Sequence, residues 1–553
     1  EGPGAGVPQS GDPVTPDARK RLGAALSLSG VLLVVVGVWL VVLTRPDDLR
    51  AQGKRLYLEG VLPSGQPLEG VAQVGVRRVG PDAACVACHR RSGFGTSEGS
   101  VEIRSITGPA LFGQPARAEP VRAASSAERA RTALLAGRRP RPVYDAPSLA
   151  RALRDGVDVT GRKLDPAMPR YALDDAALAS LSAFLQTLSA APSPGITEDA
   201  IHFATVIQPG VDPQRRRAML EVLQAFLDDK NAGMQAEQRQ ERAGYKHLGR
   251  THRRWVLHVW ELSGPAQTWP AQLEARARQQ PAFALISGLG DLSWRPIHEF
   301  SERFEVPCIF PLTDVPVVSE PGEYTVYFSR GVVLEAEALA RHLRDQGGRA
   351  PVLQVYRRDD ASSAAAAAFR NAWSRGAVQE RVVDAVPDGA FWRQLAAEVP
   401  GATLVLWLPA SDLVSVRALD QAGSPFEAVY LSATLSAGHP FVEGGEGRVR
   451  LVYPQDLPEV RGPRLQPVMQ WMRARGLALI DEKVQLNTFL ATRLLAEVME
   501  HGADTLSRDF LLESLEHVVG NNLAPTIYPR LSLAPGQRFA SKGSYITRAG
   551  ARG

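Results

Sequence analysis

Cysteine is scarce in this chain of 553 residues: there are three, two of them three positions apart, so no disulfide framework can be built. Histidine and methionine are sparse as well, at 10 and 6. No paired carboxylates, no nucleophile with a neighbouring base and no Gly-rich phosphate loop stand out, which leaves substrate-transforming chemistry without a candidate site. Charge of one sign is not in excess either. The formal net charge is +4 with a pI near 9.0, contributed largely by arginine. That mild balance favours an acidic partner surface, and with no basic, aromatic-rich motif it argues against nucleic acid. What remains is ordinary: 44% hydrophobic and 22% charged residues mark a folded protein. The length calls for two or three domains, because a single core rarely grows past about 250–300 residues. Because residue 1 is Glu rather than Met, the true start is expected to lie upstream.

The two close cysteines belong to Cys85-Val86-Ala87-Cys88-His89. C-x-x-C-H is the attachment signature of c-type haem, in which both thiols form thioethers and the adjacent His becomes an iron ligand. A redox dithiol or half of a zinc site are the alternatives. The dithiol does not need the His, and a closed zinc site wants further Cys or His nearby, whereas the other cysteine is Cys308 and the next histidine is His202. One covalent haem c is the expectation.

Residues 1–18 are rich in Gly, Pro and Asp and read as disordered, and the whole of 1–21 as a tail. Arg19-Lys20-Arg21 precedes an uncharged stretch at 22–44 containing VLLVVVGVWLVVL. As a helix it spans about 34 Å, enough for a hydrocarbon core of about 30 Å. The basic cluster ahead of it and Asp47-Asp48 behind predict a cytoplasmic N-terminus with the bulk exported. A cleaved signal peptide would have an apolar region of about 7–15 residues and a small-x-small cleavage site, so an uncleaved single-pass anchor in a bacterial inner membrane is expected.

Residues 45–197 read as the haem domain. Gly- and Ser-rich loops follow the motif, an Arg/Ala-rich stretch runs from Pro115 to Pro142 and reads as a surface insertion, and Pro147–Gly156 reads as a short helix. Then comes Leu164-Asp165-Pro166-Ala167-Met168-Pro169-Arg170-Tyr171, and after it a run with Leu178, Leu181, Phe184 and Leu185 on one helical face. Between 45 and 197 there is one His, His89, and one Met, Met168. If the iron takes both axial ligands from this domain, the second is Met168.

On Cys85, Cys88, His89, Gly108-Pro109 and Met168-Pro169 the region resembles the mono-haem class I cytochrome c family. The resemblance implies an all-α domain, an extracytoplasmic site of haem attachment, and a Pro carbonyl that accepts the hydrogen bond of the proximal His. Pro109 is the candidate for that role.

Ala190–Gly195 reads as a linker, and 198–553 as strands alternating with helices. Strands are expected at His202–Ile207, Arg254–Trp260, Phe283–Ile286, Cys308–Phe310, Val352–Tyr356, Thr403–Leu408, Ala428–Leu431 and Val449–Tyr453. Asp212-Pro213 reads as a cap for a helix burying Met219, Val222, Leu223 and Phe226. Helices near Glu482–Glu500 and Arg508–Val518 close the chain. Such alternation implies a doubly wound parallel sheet, and ~350 residues should split it into two lobes. Asp360 and Ser362 read as helix N-caps, and Cys308 as an inert buried thiol.

The stretches ALISGLGDLSWRPIHEFSERFEVPCIFPLTD, YTVYFSRGVVLEAEALARHL and PVLQVYRRDDASSAAAAAFRNAW, with the tail LSLAPGQRFASKGSYIT, resemble the periplasmic binding proteins of the leucine/branched-chain amino-acid type over roughly 200–545. The resemblance implies two α/β lobes on a hinge with a ligand in the cleft. The places where that family holds a ligand's carboxylate and amine carry Ser287, Gly288, Asp291, Ser293, Thr313 and Asp314. The segment Asp359–Ser363 lacks the Tyr common there.

Together these readings predict a non-enzymatic, membrane-anchored periplasmic electron carrier with His/Met-ligated haem. Its redox partners would be periplasmic dehydrogenases, such as a quinoprotein, or a terminal oxidase. The second domain would serve either to sense a small-molecule ligand or to dock a partner. The alternative is a solute-binding receptor in which the haem is an accessory.

Overall fold

A computed structural model of the protein describes residues 46–72, 75–98, 101–113, 142–242, 253–320, 322–347, 350–420, 424–436, 448–501, 506–521 and 526–548. The tail at 1–21, the apolar stretch at 22–44 and all but the end of the Arg/Ala-rich stretch at 115–142 lie outside the described residues. Among those described, no helix is long and apolar enough to cross a membrane. The described residues divide into two compact units, one of 46–113 with 142–190, the other from 191 onward.

The first unit runs α1 (Pro46–Glu59), β1 (Glu69–Val71), β2 (Arg77–Val79), α2 (Val86–His89), the hairpin β3 (Thr96–Glu98) and β4 (Val101–Ile103), α3 (Gly108–Phe112), α4 (Ala146–Arg154), β5 (Arg170–Tyr171) and α5 (Asp175–Thr187). Helices α1 and α5 form its centre. Gly53 permits their close approach, since a Cβ there would lie 2.0 Å from the Ser180 carbonyl oxygen. The buried rings of Tyr57 and Phe184 meet at 5.2 Å, and Leu56, Leu149, Leu153, Leu181 and Leu185 fill the space around them. Asp174 caps α5 by accepting the Ala177 N–H at 2.8 Å. The all-α expectation omitted two small antiparallel sheets, β2-β1-β5 and β3-β4. Strands of two or three residues alternate too briefly to be read.

The domain boundary moves from 197/198 to 190/191. Ser193 donates its N–H to the Leu506 carbonyl at 3.2 Å and its Oγ accepts from the Arg508 N–H at 3.1 Å. Gly195, at φ +89°, lies so close to Phe283 that a Cβ would sit 2.1 Å from its backbone nitrogen. The Pro, Ser and Gly that read as a linker also let this segment lie flat on the second unit.

In the second unit the chain lays down β6 (Ala200–Ile207), α6 (Pro213–Arg242), β7 (Arg254–Glu261), α7 (Trp269–Gln279), β8 (Ala284–Ile286), α8 (Arg295–Phe304), β9 (Cys308–Ile309) and β10 (Thr325–Val326). The strands form a parallel sheet in the order β10-β9-β8-β6-β7. The chain then crosses to a second lobe of α9 (Val332–Asp345), β11 (Val352–Tyr356), α10 (Asp360–Ala372), β12 (Gln379–Val382), α11 (Gly389–Glu398), β13 (Thr403–Trp407), β14 (Ala428–Ser432) and β15 (Val449–Tyr453). It returns to the first lobe through α12 (Pro458–Ala474), α13 (Glu482–His501) and α14 (Arg508–Asn521), and ends as β16 (Tyr545–Arg548) on the second. That sheet has the order β12-β11-β13-β14-β15-β16, parallel except for β16.

Asp212 caps α6 through the N–H groups of Gln214 and Arg215, at 2.7 and 3.1 Å. Met219, Val222 and Leu223 on α6 are buried with Phe203 of β6 and with Leu490, Leu494 and Leu515 of the returning helices. This returning contribution is why the first lobe is one core built from two distant parts of the chain. The cap of α10 is Asp359, which takes the Ser362 N–H at 2.7 Å and its hydroxyl at 2.9 Å, in place of the expected Asp360 and Ser362. Three crossings join the lobes and bond to each other: Ser541 N–H to the Phe328 carbonyl at 2.6 Å, and Ser544 Oγ to the Tyr453 carbonyl at 2.9 Å.

Candidate functional sites

The five residues of the C-x-x-C-H motif form one helical turn. Cys85 is the N-cap of α2, and the His89 N–H donates to the Cys85 carbonyl at 2.9 Å, so both thiols and the imidazole issue from a single turn. The turn stops at Arg90, which has φ +66°. Its carbonyl accepts the hydroxyl of the buried Tyr57 at 2.6 Å, tying the end of the motif to α1. The His89 Nδ1–H donates to the carbonyl of Arg104 at 3.0 Å. This corrects the expectation of Pro109, whose carbonyl accepts the Gly113 N–H inside α3 instead. Arg104 follows β4, so the β3-β4 hairpin delivers the acceptor. Gly95, at φ +76°, closes that hairpin where a Cβ would lie 2.0 Å from the Ile103 oxygen.

Burial holds His89 below its ordinary pKa, against the Arg104 carbonyl. The ring is therefore held neutral, as a metal ligand must be, with Nδ1 spent on the backbone and Nε2 left for a metal. Burial also pushes the Cys85 thiol up to about 12, which makes it a poor thiolate and an unpromising redox dithiol.

Met168 is brought to the same region by two ties. The Tyr171 hydroxyl donates to the Ala83 carbonyl at 3.0 Å, two residues before Cys85. Strand β5, which carries Arg170 and Tyr171, pairs with β1. Gly70 on β1 is required there, because a Cβ would lie 2.7 Å from the Tyr171 ring and 2.9 Å from Pro169. The Met168 loop is an Asx turn, with Ala167 N–H on Asp165 Oδ1 at 2.8 Å. Met168, Cys85, Val86, Ile106, Phe112 and Leu164 all pack against the core of this unit yet stay partly exposed. Two thiols, a neutral imidazole, a thioether and an apolar, half-covered surround are the donor set and lining that a covalent haem needs. Among the described residues, no group of three or more His, Cys, Asp or Glu converges as a metal site.

The second site lies where the lobes meet, lined among others by Arg215, Thr313, Asp314, Thr434, Lys483 and Asn487. Lys483 Nζ is 2.6 Å from Asp314 Oδ1, and Arg215 bridges Asp291 at 2.6 Å and Asp481 at 3.5 Å. Burial works against the charge on Lys483, but Asp314 more than restores it and its pKa is raised. Asn487 donates to the Tyr528 hydroxyl at 3.1 Å, while its Oδ1 is buried without a partner. The cavity volume is about 30 Å³, far short of the ~300 Å³ or more of a typical ligand pocket.

Of the six expected cleft residues, Thr313 and Asp314 line this junction, and Asp291 reaches it through Arg215. Ser287 and Gly288 do not. Ser287, at φ +54°, is buried with its Oγ unpartnered, and Gly288 is tucked beneath the Trp294 ring, 2.9 Å from where its Cβ would be. The backbone N–H of Ser293 donates to Asp360 of the opposite lobe at 3.0 Å, a direct strap between the two. The residues missed are Arg215, Lys483, Asn487 and Tyr528, which come from α6, α13 and the tail and have no common motif. Lys483 alone carried a signal, being one of seven lysines in a chain that otherwise uses arginine.

No protein-family model matches the chain, and no curated protein matches it. Among solved structures it is similar to a leucine binding protein from Thermotoga maritima, at 14% identity over 63% of this chain and 96% of that one, with a TM-score of 0.44. It is similar to a branched chain amino acid ABC transporter from Thermus thermophilus with bound valine, at 11% identity over 64% and 94%, TM-score 0.47. A substrate-binding periplasmic protein from Ralstonia solanacearum aligns at 14% over 62% and 96%, TM-score 0.46. At such values the likeness is confined to the backbone path, and the two-lobed arrangement of this chain rests on its own sheet orders and crossings.

Proposed function

We propose that the chain is a periplasmic c-type electron carrier, held at the outer face of the bacterial inner membrane by the 22–44 segment, with an appended two-lobed domain. Cys85 and Cys88 would anchor one haem c, and His89 and Met168 would ligate its iron. Bound haem of this kind would supply one-electron exchange, and His89 and Met168 together would leave no open site for oxygen or peroxide. The single observation carrying this reading is the His89 Nδ1–Arg104 bond at 3.0 Å, which fixes the ring's orientation and leaves Nε2 free in the turn that carries both thiols. Arg104 orients the ring, Tyr57 fixes the end of the turn, and the Met168 loop is held close by Tyr171. Redox partners of the quinoprotein dehydrogenase or terminal oxidase kind belong to the same proposal.

The test is spectroscopic. Protein made with c-type maturation should keep its porphyrin through acid-acetone extraction, and its ferric form should show the near-infrared band of Met ligation. Met168→Ala should abolish that band. Matching spectra for the two proteins would refute the axial assignment.

A second reading, solute binding between the lobes, is favoured by the unpartnered Asn487 Oδ1 beside the Lys483–Asp314 pair. A ligand would have to open the junction beyond its present volume of about 30 Å³. Native mass spectrometry separates the roles: a retained small molecule favours capture, and a stoichiometric dehydrogenase favours docking.

A further inference from the structure

Arg170 lies two residues beyond Met168. Its Nη1 donates to the Met168 carbonyl, while its Nη2 is buried and has no hydrogen-bond partner. The guanidinium occupies a prepared seat. Gly156, at φ +68°, lies beneath it, and a Cβ there would be 1.9 Å from Nε and 2.0 Å from Cζ. Any residue but glycine at 156 would displace the fork, and the positive φ adds to the strain. A guanidinium cannot give up its charge, so a buried, vacant N–H on it calls for an anion. Among the described residues no carboxylate pairs with it: Asp165, in the same loop, is engaged as the turn's own acceptor for Ala167.

We propose that Arg170 is the protein's donor to a haem propionate, with Nη2 bonding a carboxylate oxygen while Nη1 holds the Met168 carbonyl. This rests on the haem reading above. The guanidinium's fixed fork suits the double task, since two parallel donors can hold the ligand loop and a carboxylate in one plane. One residue would then couple the position of the Met loop to that of the porphyrin edge. Arg170 touches no reacting atom through this bond and is a positioning residue that also neutralises charge beside the iron.

The experiment uses the full-length holoprotein carrying haem isotopically labelled at the propionate carboxyls, as wild type, Arg170→Gln and Arg170→Lys. Redox-difference infrared spectra report the labelled carboxylates, and spectroelectrochemistry reports the ferrous-to-ferric ratio. In Arg170→Gln the propionate is left unneutralised, so the ferric form gains. The ferrous-to-ferric ratio at a fixed applied potential should fall on the order of tenfold, the effect of a unit charge across about 10 Å at an effective dielectric constant of about 20. The labelled bands should shift while the near-infrared Met band persists, and Arg170→Lys should recover most of the ratio but not the band positions. Unshifted carboxylate bands in both variants would overturn the proposal, whether or not the Met band weakens. Absence of covalent haem from the wild type would instead overturn the reading beneath it, and the proposal with it.

Discussion

Gly95 and Glu335 show how single residues hold the two sites. Gly95 closes the hairpin that presents the Arg104 carbonyl to His89, at a backbone angle that L side chains resist and with no room for a Cβ. Gly95→Ala is expected to destabilise the first unit by more than about 1 kcal/mol, since alanine at positive φ is strained in the folded state, and denaturant titration would measure it. Glu335 on α9 is fully buried, and burial pushes its carboxyl up to about 8, against the hydrogen bonds from Ser432 and Thr434 and the charge of Lys483. A carboxyl with a raised folded-state pKa binds its proton more tightly in the folded protein. The stability it contributes is complete below its ordinary value of 4.5 and is lost as pH rises through about 8. Wild-type stability should therefore decline by on the order of a few kcal/mol across that window. Glu335→Gln should flatten the decline in denaturant midpoints from about pH 5 to 8.5, and parallel slopes in the two proteins would show that Glu335 is not the cause.

Among the elements, α14 begins with a residue that staples three other segments to it. Arg508 donates to the carbonyls of Ala282 at 2.6 Å, Phe283 at 3.1 Å, Glu305 at 3.2 Å and Pro194 at 3.5 Å. Its burial lowers the pKa to about 10, still charged at neutral pH. Arg508→Ala leaves those oxygens without their donor and is expected to cost about 2–4 kcal/mol, measurable by urea unfolding followed through tryptophan fluorescence. Elements also differed in legibility. The long apolar strands β6, β13, β14 and β15 and the capped helix α6 stood out from periodicity and Asp212. Helix α12 did not, because Pro463 and Pro467 lie inside it and proline there argues against a helix. It persists because its face, with Leu465, Val468 and Met472 buried, packs on the first lobe and on the returning helices. Strand β12, with its Gln-Glu-Arg-Val sequence at a sheet edge, offered no hydrophobic alternation to read.

For the whole molecule, the two units have separate hydrophobic cores. Calorimetry of the full chain should then resolve two transitions, with Gly95→Ala lowering that of the first unit and Arg508→Ala that of the second. A single transition displaced by both substitutions would refute separate unfolding. The sequence by itself determined the C-x-x-C-H motif, the lone Met between 45 and 197, the helix cap at Asp212, and the strand-helix alternation that makes two largely parallel sheets. Those features are local: adjacent residues or a short period carry them. Only the tertiary structure decided that Arg104 and not Pro109 orients His89, that 191–197 belongs with the second unit, and that Ser287 is buried and Gly288 lies beneath Trp294 while Lys483, Asn487 and Tyr528 line the lobe junction with Arg215. Each of those outcomes pairs residues far apart in the chain, and which backbone carbonyl or side chain fills a given space is set by packing among cores that no single segment contains.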